Sequence, residues 1–152
     1  MSKPNLILFT NHFPLKNTVK ESWLVSEMAV TYDCYNKIII VPFNNETDYI
    51  DLPNNCEILN ISKSTEVKLS FSEIISVLEI VFSDFFRLQK NFLFYRLFRY
   101  NFALIKKYYK DAKFINENTK SKVDSTHKTV LYAYWADNLA TCASIVKIFN
   151  PK

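Results

Sequence analysis

Residues 5–32 read NLILFTNHFPLKNTVKESWLVSEMAVTY, and the fold turns on how this stretch is parsed. Leu6-Ile7-Leu8-Phe9 is a continuous apolar run, short enough for a strand and apolar enough for burial on both faces. It breaks at Thr10-Asn11-His12-Phe13-Pro14, a polar turn whose proline cannot extend a strand ladder. Thr18, with Glu21 three residues on, has the spacing of a capping box and predicts a helix start. Leu24, Val25, Met28, Ala29 and Tyr32 then share one stripe, the face expected to pack on a sheet. A strand leading straight into an amphipathic helix is the first half of a right-handed βαβ unit. Ligands of such folds bind beyond the carboxyl ends of the strands, where the strand order reverses. A central first strand would place Asn11 and His12 there.

The rest of the chain extends that pattern. Lys37-Ile38-Ile39-Ile40-Val41 is β-branched and predicts a second buried strand ended by Pro42. Cys56 to Ile61 alternates like a third, more exposed strand, and a flexible stretch is expected from Ser62 to Leu69. Ser70 and Glu73 form another capping box, opening a helix expected to reach about Gln89. A second long helix is predicted over Phe92 to Lys113, followed by a loop from Asn116 to Lys128. Thr129 to Trp135 predicts the last strand, and Asp137 is placed to cap a final helix through Ile148. The expectation is one α/β domain over residues 1–152, Rossmann-like, with a mainly parallel sheet in the order 3-2-1-4 and helices on both faces. The first and last strands would then be neighbours, with Asn11 and Trp135 at their tips.

Composition narrows the function classes. The 152 residues are 49% hydrophobic and 22% charged, which is globular usage. A net charge of +4 is too small to diagnose nucleic-acid binding, and no nucleic-acid motif is present. Glycine is absent where roughly ten would be expected. That excludes the P-loop and the G-x-G-x-x-G fingerprint, and hands any positive-φ positions to asparagine, with Asn44-Asn45 and Asn54-Asn55 as candidates. Cys34, Cys56 and Cys142 lack metal-site spacing and read as core thiols of a reducing compartment. No window has the ~20 apolar residues of a membrane span, and the amino terminus does not read as a signal peptide, so a cytoplasmic location is expected.

Several residue groups carry chemistry. His12 has the pKa range of a base or a sugar-hydroxyl partner, or is a plain loop histidine; His127 reads as surface. Glu21 either reaches a ligand or serves its capping box. Tyr134 and Trp135, at a strand's carboxyl end, are placed to stack on a sugar or base while hydrogen-bonding, and Trp135 reads equally as a core plug. Asp137 is a ligand residue or an N-cap. On the long helix Arg96, Arg99, Lys106, Lys107 and Lys110 share one face, with aromatics around its borders. That composition suits an anionic membrane surface, and also an ordinary solvated face over a large core.

Leu6–Pro14, Thr18–Met28, Lys37–Pro42 and Val130–Ala143 together resemble the amino-terminal domain of a bacterial family-4 glycosyltransferase of the capsule and exopolysaccharide type. The resemblance is carried by Glu21-Ser22-Trp23-Leu24 with Glu27, by the strand ending at Pro42, and by Tyr132-Ala133-Tyr134-Trp135-Ala136-Asp137. The last is similar to the Tyr-x-Tyr-Trp strand end of that family. It implies the GT-B architecture, sugar transfer from a nucleotide-sugar co-substrate, a lipid-linked or oligosaccharide acceptor at the inner face of the cell membrane, and no metal or other cofactor. It implies that this domain holds the acceptor, with Asn11, His12, Glu21, Tyr134, Trp135 and Asp137 lining the cleft. Two departures are plain: the first loop has Pro14-Leu15-Lys16-Asn17 in place of glycines, and the donor domain with its paired-glutamate motif is missing. The expectation is an acceptor-side half, inactive alone: a fragment, a truncated gene product, or one half of a split enzyme partnered by a separate donor-domain chain. The rival is a non-catalytic, membrane-peripheral or partner-binding module using the basic-aromatic helix 92–110.

Overall fold

The structure, a computed structural model, describes residues 2–16, 21–44, 46–87, 94–123, 126–134 and 138–149; side chains are described for all of these but 81, 83–87, 94–100 and 138. Strands β1 (Asn5–Thr10), β2 (Ile38–Pro42), β3 (Cys56–Ile58) and β4 (Thr129–Ala133) form one sheet in the order β3-β2-β1-β4. All three pairings are parallel, with Leu6 beside Ile38 and Val130, and Phe9 beside Val41 and Ala133. The order and the α/β class are those expected from the strand-helix alternation. β1 and β2 are buried along their whole length, as central parallel strands flanked by helices must be.

Period-two alternation divides the core between the two faces. Leu6, Leu8, Ile38 and Ile40 meet Leu24 and Met28 of helix α1 (Ser22–Thr31) on one side. Ile7, Phe9, Ile39 and Val41 meet helices α2 (Phe71–Arg87), α3 (Phe94–Lys120) and α4 (Asn138–Phe149) on the other. Fully burying a side chain such as Phe9 contributes about 1.5–3 kcal/mol, so these two layers dominate the stability.

The elements differ from expectation in several places. α3 runs on to Lys120 through residues expected to be loop, because Ala112, Ile115, Asn116 and Thr119 continue its buried stripe. Asn118 and Thr119 are tolerated in the helix because their side chains bond back to the carbonyls of Phe114 and Asn116. β3 stops at Ile58, three residues rather than six. The stretch expected to be flexible opens with a 3-10 turn, Ser62–Glu66, pinned to α3 where the Ser64 hydroxyl meets the buried Asp111 carboxylate at 2.5 Å. α1 buries only Leu24 and Met28, and Val25 and Ala29 face solvent. The Ser70–Glu73 capping box forms as predicted: Glu73 accepts from the Ser70 N–H at 2.7 Å, and the Ser70 hydroxyl accepts from the Glu73 N–H at 3.3 Å.

All three cysteines are free, but Cys34 is exposed and Cys56 half-buried, so only Cys142 is the core thiol expected. Among the described residues no helix is long and apolar enough to cross a membrane, and no cluster of three metal-ligating side chains occurs.

Candidate functional site

The site lies at the carboxyl ends of β1 and β4, which are hydrogen-bonded neighbours with no strand between them. The Tyr134 N–H donates to the Phe9 carbonyl at 3.3 Å, so the β4 tip is tied to the β1 tip where the loop at Asn11 departs.

That loop is held in four ways. The Thr10 hydroxyl donates to the Phe13 carbonyl at 2.6 Å, and the Phe13–Pro14 peptide is cis. Asn44, at the tip of β2, donates its amide to the Asn11 carbonyl at 2.6 Å, while the Phe43 N–H donates to the Thr10 carbonyl at 2.9 Å. Leu15 bridges antiparallel to Tyr49. The fourth hold is Glu21. Its carboxylate accepts from the N–H groups of Asn11 at 3.1 Å, His12 at 2.6 Å and Phe13 at 2.7 Å. Three successive amides converging on one carboxylate form an anion-binding concavity filled by the protein's own side chain.

The expected capping-box role of Glu21 is therefore overturned. Helix α1 starts at Ser22, Glu21 itself stands at the N-cap position, and it makes no side-chain cap hydrogen bond. It is 2% exposed, turned away from its own helix and into the β1 loop. Thr18 lies outside the described residues. Glu21 also has φ 60, the single positive-φ backbone among the described residues. The expectation that asparagine would take such positions fails for Asn44, Asn54 and Asn55, while Asn45 lies outside the described residues. Asn55 bonds instead to the carbonyls of Tyr32 and Tyr35.

With the loop backbone anchored, Asn11 and His12 are half-exposed, and so is Tyr134 after the neighbouring strand. The backbones of Asn11, His12 and Tyr134 thus follow adjoining strand tips, and Glu21 is the group that positions the first two. Trp135 and Asp137 lie outside the described residues. Two aromatics not singled out as site residues join the cluster. Trp23, in the first turn of α1, has its ring 5.9 Å from that of Tyr134, and the Tyr132 ring lies 6.1 Å from that of Tyr134. Both are 44% exposed. Burial, with the charge of Glu27 next in size, pushes the Tyr132 hydroxyl above its ordinary pKa. The signal for Tyr132 was legible, since it shares a strand face with Tyr134 at spacing two; Trp23 needed the packing of α1 on β4.

The basic face of α3 is partly spoken for. The Lys110 ammonium donates to the Thr65 carbonyl at 3.1 Å, and Lys113 pairs with Glu73 at 2.8 Å. Lys106 lies 6.0 Å over the Phe102 ring, and Lys107 is exposed. The side chains of Arg96 and Arg99 lie outside the described residues. His127, read as surface, meets the Lys3 carbonyl through Nδ1 at 2.7 Å. Comparison of the chain with protein-family models, with curated proteins and with solved structures gave no match.

Proposed function

We propose that this chain is the acceptor-binding half of a nucleotide-sugar-dependent glycosyltransferase of surface polysaccharide synthesis, working at the cytoplasmic face of the membrane. The observation that carries the reading is the anchored β1 loop, which sets Asn11 and His12 beside Tyr134 on adjoining strand tips. An amide, an imidazole and a phenol are the groups that hydrogen-bond sugar hydroxyls, and the phenol ring offers a face for a pyranose. In this reading His12 takes the proton of the acceptor hydroxyl as its oxygen bonds to the donor's anomeric carbon; the bond from that carbon to phosphate breaks, and the nucleoside diphosphate leaves. The donor sits on a second domain across the cleft. A lipid-linked acceptor fits the exposed Lys107 and the Lys106–Phe102 pair on α3, which suit an anionic bilayer surface.

The test is transfer to a lipid-linked or oligosaccharide acceptor. The chain alone is expected to bind acceptor without transferring sugar, and addition of a GT-B donor domain to restore transfer. His12→Ala and Tyr134→Ala should each weaken acceptor binding about tenfold, the loss of one hydrogen bond or stacking contact. Transfer by the chain alone, or unchanged acceptor binding in both variants, overturns the proposal.

A further inference from the structure

Where a parallel strand runs through a loop into a helix, the junction ordinarily receives a phosphate. Backbone N–H groups of the loop point at it, and the helix N-terminus favours its charge. Here those N–H groups are engaged within the chain. The amides of Asn11, His12 and Phe13 donate to the Glu21 carboxylate at 3.1, 2.6 and 2.7 Å, and both of its oxygens take part. Glu21 is 2% exposed, so its charge sits among protein groups, where electrostatic interactions are stronger than in water. It is also the N-cap residue of α1, so an anion approaching the first turn of that helix would come up against this carboxylate. The loop has no glycine to admit a phosphate close to the backbone. Nor can it swing aside without losing its ties to the tip of β2, from the Asn44 amide to the Asn11 carbonyl and from the Phe43 N–H to the Thr10 carbonyl.

We propose that Glu21 sets the charge class of the ligand: it holds the place of a phosphate, so the part of the ligand that meets the β1 tip is uncharged, a sugar hydroxyl and not a phosphoryl group. This inference rests on the acceptor reading and narrows it. A hydroxyl needs only the side chains of Asn11 and His12 as partners, and these are half-exposed. A phosphate needs the amides that Glu21 has taken. To reach them it would have to displace a carboxylate that belongs to the same chain, is present at high effective concentration and has no translational freedom to lose. The diphosphate of a nucleotide-sugar, and the phosphate of a lipid-linked acceptor, therefore lie clear of Asn11–Phe13. Glu21 is thus a specificity-determining residue that acts through the loop it holds, without touching the ligand.

Titration of the full chain with inorganic phosphate and with pyrophosphate, followed through the amide resonances of Asn11, His12 and Phe13, tests it. At constant ionic strength the parent is expected to show no saturable shift up to tens of millimolar. In Glu21→Ala the released amides become a receptor. Formate and phosphate should then shift those resonances saturably, bind at least about tenfold more tightly than to the parent, and raise the melting temperature more than chloride does at equal ionic strength. Glu21→Gly loses the same carboxylate without the strained backbone; it should behave alike, and it serves where Glu21→Ala does not fold. A saturable shift in the parent overturns the proposal, because the amides would then be open to a ligand anion. So does indifference of both variants to formate and phosphate. The titrations contain no carbohydrate, so their outcome is separate from whether the parent holds an acceptor.

Discussion

Glu21 shows how much one side chain can decide. The polar turn after β1 leaves three consecutive N–H groups aimed at one point, and an unmet buried amide costs about 1–3 kcal/mol. In a chain without glycine, the carboxylate that meets them has to come from a residue held in the left-handed region, at about 1–2 kcal/mol of steric strain. The hydrogen bonds outweigh the strain. Glu21→Ala should therefore destabilise the fold by about 3 kcal/mol in urea titration. Glu21→Gly loses the same bonds but sheds the strain, and should be about 1 kcal/mol less damaging than alanine. Equal losses would mean that the backbone there is unstrained.

Between elements, the contact of α3 with the 3-10 turn at Ser62–Glu66 is held by a buried carboxylate. Asp111 is 1% exposed; one oxygen meets Ser64, and the other has no hydrogen-bond partner. Burial raises its pKa, against the smaller opposing effects of the Ser64 hydroxyl and the charges of Lys107 and Lys110. A carboxyl whose folded pKa is raised favours the folded state below its unfolded value near 3.9, and that contribution falls as pH rises toward the folded value. Glu57 and Glu73, whose pKa values are lowered, act the other way and lose their contribution as the solution is acidified. Asp111→Asn keeps an acceptor for Ser64 and removes the ionisation. Its stability relative to the parent should rise with pH above 4 and level off once Asp111 is ionised in the folded parent. A difference independent of pH in paired denaturation curves would refute the assignment.

For the molecule as a whole, the short, charged β3 edge limits association through that side of the sheet. Glu57→Val removes the group that Lys37 and Lys122 hold and leaves β3 apolar. Light scattering should then show more association than for the parent at the same concentration, because the β3 edge is no longer guarded. The local pattern alone determined the sheet: apolar runs at 6–9 and 38–41 separated by a helix-length segment, and a last strand before a last helix, specify parallel pairing and the 3-2-1-4 order through connection rules that act along the chain. The neighbouring tips bearing Asn11, His12 and Tyr134 follow from that order. What only the tertiary structure decided depends on groups distant in sequence or on backbone geometry. The carboxylate of Glu21 chose the amides of Asn11–Phe13 over its own helix; α3 continued past Asn116 because Ile115 and Thr119 found a core to enter; Trp23 reached Tyr134 once α1 lay on the sheet. Periodicity and propensity are sums over nearby residues, whereas burial and hydrogen-bond satisfaction are settled by whichever groups the completed fold brings within reach.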